Sequence, residues 1–128
     1  MESAVSIDQF QEELQTWKHE LSSFKQEIRH FEKHLEKLSA QKLPKERLAQ
    51  IEHFQNSFIC QKEVIDKLRH DLPDSPEKVE TMFKSALYPD PAQHRMDKVD
   101  RLTERMDIFR RLFEEVRADF KKFEAEFI

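Results

Sequence analysis

The stretch IDQFQEELQTWKHELSSFKQEIRHFEKHLEKL, residues 7–38, decides the fold. Its apolar residues are Ile7, Phe10, Leu14, Trp17, Leu21, Phe24, Ile28, Phe31, Leu35 and Leu38. They recur at alternating intervals of three and four without a slip. An α-helix turns every ~3.6 residues, so this spacing lays one continuous apolar stripe along one face of a long rod. Such a stripe is stable in water only against other helices. One row of the stripe holds Phe10, Trp17, Phe24 and Phe31. Rings of that size crowd a two-stranded seam and suit a wider core shared by three or four helices. Phe24, in mid-stripe, is expected to be buried, and Phe24→Ala to cost roughly 3–5 kcal/mol.

Working outward, residues 1–5 read as a short lead. Ser6 and Gln9 form a capping box, and Val5 and Phe10 sit where a hydrophobic staple would join. The first helix is expected over about 7–40. Lys42-Leu43-Pro44 breaks it, and Pro44 suits the first turn of a second helix, whose missing N–H costs nothing. That helix is expected over about 45–71. It carries Ile51, Phe54, Phe58, Ile65, Leu68 and Leu72, with Gln61 filling one core slot. Leu48, Ile59 and Val64 widen its apolar arc.

Leu72-Pro73-Asp74-Ser75-Pro76 is a second break, with Ser75 as cap and Pro76 opening a short helix over about 76–87. Val79, Met82, Phe83, Ala86 and Leu87 form its apolar face. Tyr88-Pro89-Asp90-Pro91 ends it. Asp90 and Pro91 are expected to open a last helix over about 91–127. There a second unbroken track runs Val99, Leu102, Met106, Phe109, Phe113, Val116, Phe120, Phe123 and Phe127. All eleven Phe residues fall on one of these faces, which assigns them to packing.

The expected fold is all-α, a single domain over 1–128: an elongated, coiled-coil-like antiparallel bundle of three long helices with one additional short helix. The short link makes helices one and two antiparallel. The fourth helix should then run parallel to the first, with Val99 and Leu102 near Ile7 and Phe10, and Phe123 and Phe127 near Leu35, Leu38 and Leu48. The short third helix would fill the end where helix two runs out. The alternative is that it acts as a fourth strut and the fourth helix runs the other way.

The 128 residues include no Gly, which argues against phosphate-cradling loops and tight hairpins. Charged residues are 38% with both signs interleaved, and the net charge is −4. That balance lacks the basic footprint of a nucleic-acid binder. Cys60 is alone, so no internal disulfide forms and a reducing cytoplasm fits. No segment approaches the ~18 continuous apolar residues of a membrane span. The stripe Phe120, Phe123, Phe127, Ile128 lacks the basic polar face of a membrane-surface helix.

Chemistry-bearing patterns are sparse. Glu27-x-x-His30 has the spacing of a di-iron ligand pair, but a second such pair and further core carboxylates are missing. Cys60 falls off the main stripe with no base within reach. His30-x-x-Lys33 is similar to the motif of the helical histidine phosphotransfer domains, where a small residue, usually Gly, follows. That resemblance implies a phosphorylatable imidazole at His30; here His34 follows instead. No catalytic residue, cofactor or metal is therefore assigned. The expected function is a non-enzymatic protein-interaction or scaffolding module, with a partner protein or a second copy as ligand. A phosphotransfer-like signalling domain using His30 is the alternative. The surplus apolar residues Ile59, Ile108 and Leu112, with Met82 and Phe83 of the short helix, are the candidate partner-binding set.

Overall fold

The computed structural model describes residues 7–87 and 98–127. Four helices follow in order: α1 (Ile7–Ser39), α2 (Lys45–Asp71), α3 (Pro76–Leu87) and α4 (Lys98–Ala125). The expected caps at Ser6 and Asp90, the staple from Val5 and the opening turn at Pro91 lie outside the described residues, as do the side chains of Ala86 and Leu87.

The breaks work largely as the prolines dictate. Leu72, held extended by the following Pro73, ends α2 at φ −72° and ψ 141° while its N–H still reaches the Leu68 carbonyl. Ser75 Oγ then accepts from the Lys78 N–H at 3.2 Å and caps α3. Pro44 differs by one place. It is the residue before α2, in extended conformation, and its carbonyl accepts from Arg47 and Leu48.

The three long helices share one core. From α1 it takes Phe10, Leu14, Trp17, Leu21, Ile28, Phe31, Leu35 and Leu38; from α2, Ile51, Phe54, Phe58, Ile65 and Leu68; from α4, Leu102, Met106, Phe109, Phe113, Phe120 and Phe123. Among the described residues no polar or charged residue is buried. At one end five rings interlock with Phe120 at their centre, its centroid 4.8 Å from Phe31, 5.2 Å from Phe58 and 5.3 Å from Phe54. Phe123 closes on Phe54 at 5.0 Å.

Ion pairs give the register. Arg110 meets Glu20, Arg117 meets Glu27 and Glu124 meets His34, each pair 90 positions apart in sequence. A constant difference means that α4 runs parallel to α1. On the other flank Lys25 meets Asp66 and Lys62 meets Glu32, and rising numbers on one helix match falling numbers on the other, so α2 is antiparallel to α1. The short α3 lies against α1 and α4. Its Val79 joins the core and lines a cleft with Leu14 and Lys18 of α1.

One expected placement is corrected. Phe24 is half-buried: it packs on Phe113 at 4.7 Å and Phe109 at 5.5 Å while its outer edge stays open beside the Arg117 guanidinium. Its truncation leaves less of a cavity than a sealed site would, so a cost near 2 kcal/mol replaces the larger figure. Leu48 is exposed, and the Arg47 guanidinium lies 5.1 Å from the Phe127 ring centre.

Candidate functional site

Where the three long helices run side by side they meet along three seams, and two are bridged by charge. Along α1–α4, Arg110 grips both carboxylate oxygens of Glu20 at 2.6 and 2.7 Å, and Arg117 grips both of Glu27 at 2.8 and 2.7 Å. Forked pairs of this kind fix orientation as well as supply energy. Glu20 accordingly holds the Arg110 guanidinium above its ordinary pKa. One heptad further, His34 Nδ1 lies 2.5 Å from Glu124 Oε2. The α1–α2 seam has Lys25–Asp66 at 2.6 Å and Lys62–Glu32 at 2.9 Å. Lys25 lowers the pKa of Asp66 through that hydrogen bond.

The α2–α4 seam is different. Its ends are ionic: Arg105 donates to Asp71 at 2.9 Å, and Arg47 donates to Glu126. Seven residues back from Asp71 and seven on from Arg105 are Val64 and Leu112. In an antiparallel pair these occupy the same kind of flanking position, one heptad inward. The ionic rung is thus replaced there by an apolar one. Val64 is 44% exposed, Leu112 43% and Ile108 39%. They surround a groove of about 450 Å³ floored by Leu68 and Phe109 and edged by Glu63, Lys67 and Arg105. Gln61, the polar residue in a core slot of α2, also lines it, and its Oε1 is buried with no hydrogen-bond partner.

The expected partner-binding residues separate. Ile108 and Leu112 meet in this groove. Ile59 is 48% exposed on α2 but does not line it. Met82 packs against the core and lines a different cleft with Asp71, Leu72 and Pro73. Phe83 is half-buried on α3. Sequence reasoning passed over Val64, Lys67 and Arg105 as site residues. The signal that could have found Val64 is its seven-residue offset from Asp71, which becomes meaningful only once Arg105 and Leu112 are known to stand opposite.

His30 is exposed on α1, while neighbouring Glu27 is committed to Arg117 and His34 to Glu124. Among the described residues no group of three or more His, Cys, Asp or Glu converges to hold a metal. Cys60 is exposed. No helix among them is long and apolar enough to cross a membrane. In comparisons with known proteins no family model matches the chain, and no curated protein or solved structure matches it significantly.

Proposed function

We propose that the chain is a non-enzymatic protein-interaction module of the cytoplasm whose docking site is the α2–α4 groove. The observation that carries this reading is the break in the ionic pattern. Two seams are shut by salt bridges, and the third leaves Val64, Ile108 and Leu112 in water around an apolar floor. An apolar strip with charged edges between two helices is what an amphipathic helix docks into. Covering these side chains would recover roughly 25 cal/mol per Å² of apolar surface. Phosphotransfer at His30 is the second reading, supported by that imidazole's exposure; label from a phosphorylated receiver domain should then be lost in His30→Gln.

A photoreactive residue at position 112 tests the groove. In cells it should cross-link to a protein identifiable by mass spectrometry, a second copy included. The product should vanish when Val64→Glu and Ile108→Glu are added, and a photoreactive residue at exposed Lys33 should not give it. Absence of any product specific to position 112 would overturn the reading.

A further inference from the structure

The flank of α4 that borders the groove has a pattern of its own. Arg101, Arg105, Ile108, Leu112, Glu115 and Asp119 recur at intervals of 4, 3, 4, 3 and 4. This is a second heptad track, roughly a third of a turn from the core stripe. All six are exposed or half-buried in the structure. Its charges are ordered: two arginines, two apolar residues, two carboxylates. Reversed end for end, the track complements itself.

We propose that a second copy of this chain occupies the groove, with the two α4 helices antiparallel about a two-fold axis between Ile108 and Leu112. This rests on the interaction reading above and names its partner. In that arrangement Ile108 of one copy meets Leu112 of the other, Arg105 meets Glu115, and Arg101 meets Asp119. An isologous contact requires a self-complementary patch, which this track supplies. A parallel pairing would instead set arginine on arginine and carboxylate on carboxylate. Among the described residues the bond from Arg105 to Asp71 uses Nη2, which leaves Nε and Nη1 to donate to a second carboxylate. Val64, beside Leu112, is covered in the same step. Along the described part of the α4 track the one like-charge meeting is Lys98 against Lys122, at the outer ends. The apolar centre is small, so the dimer should form in the micromolar range rather than the nanomolar.

Sedimentation equilibrium of the full chain tests this. The mass should rise with concentration toward twice that of the monomer. Arg101→Asp alone and Asp119→Arg alone should each weaken association roughly ten-fold, since the two-fold repeats each lost pair. The double variant, with the charges exchanged, should return to within about three-fold of the natural chain. Lys122→Glu should tighten it. Each of these side chains is exposed, and circular dichroism should show the same helical fold throughout. A chain that stays monomeric up to about 1 mM, or a dimer that the exchange does not restore, would overturn the proposal. If the chain is monomeric while position 112 cross-links to a different protein, self-pairing fails and the interaction reading stands. If neither association occurs, both fail.

Discussion

The α1–α4 and α2–α4 seams share a helix and a core yet end in opposite surfaces. Between α1 and α4, Glu20, Glu27 and Glu124 face Arg110, Arg117 and His34 at seven-residue steps. Each of these three rungs has partners of opposite or complementary character, so charge closes the flank from Glu20 to His34. Between α2 and α4, only the outer rungs are ionic, and the middle is Val64 and Leu112. A long helix can therefore be finished on one flank and left open on the other while its buried stripe stays regular. Core packing selects the fold, and the flanking residues select which side remains available.

Both seams depend on the shared aromatic end, and the largest effect is expected there. Phe120 is fully buried at the centre of a five-ring cluster, and Phe120→Ala should destabilise by roughly 3–5 kcal/mol, read as a drop in the urea midpoint. A loss under about 1 kcal/mol would mean that the cluster is not the common anchor of the two seams.

The next effect separates the seams. Arg117→Ala removes the forked bond to Glu27 and the guanidinium lying 4.8 Å from the Phe113 ring centre, and should cost about 1 kcal/mol. Leu112→Ala, on the open flank, should fall within about 0.5 kcal/mol of the natural chain in dilute solution. Equal costs for the two changes would erase the distinction.

Gln61 offers the reverse test. Its buried, unpartnered Oε1 makes the open seam less stable than its shape allows. Gln61→Leu should raise stability by about 1 kcal/mol in the same titration. A decrease would show that Oε1 is satisfied in solution.

The smallest effect concerns acid. Asp71 closes the outer rung of the open seam, and its carboxyl is held down from 3.8 to about 2, first by the hydrogen bond from adjacent His70, then by those from Arg105 and Lys67. A carboxylate whose folded pKa is depressed contributes stability above its unfolded pKa. That contribution is lost as pH falls through the folded value, here between about 4 and 2. The partly solvated site should limit it to below about 1 kcal/mol. Denaturant midpoints of the natural chain and Asp71→Asn should differ near neutral pH and converge toward pH 2. A gap that persists there would assign the difference to something other than this charge.

The bundle was legible because the heptad period is a property of the chain itself. Ile7 to Leu38 and Val99 to Phe127 each declare one face, and Pro44, Pro73 and Pro76 place the breaks between rods. The lengths of the rods and links favoured a parallel α4 but left the opposite course open; the pairs Glu20–Arg110, Glu27–Arg117 and His34–Glu124 decide it. The state of Phe24 was not legible, since its half-burial depends on how far Arg117 reaches across the seam. Nor was the site as a whole. Ile108 and Leu112 stood out as surplus apolar residues, but so did Ile59, which points elsewhere, and Val64 was absorbed into a broad arc. Adjacency across helices is set by register, and no single helix contains that information.

What the sequence determined by itself is therefore periodic: helix, stripe, break, and the self-complementary order of charges from Arg101 to Asp119. Each is local, set by backbone geometry over a few turns. The tertiary structure alone decided that Glu20 and Glu27 meet arginines 90 positions away, and that Val64 and Leu112 face each other where an ion pair would otherwise stand. Those pairings depend on how two rods slide and rotate against a shared core. Packing resolves that choice only when all three helices are in place.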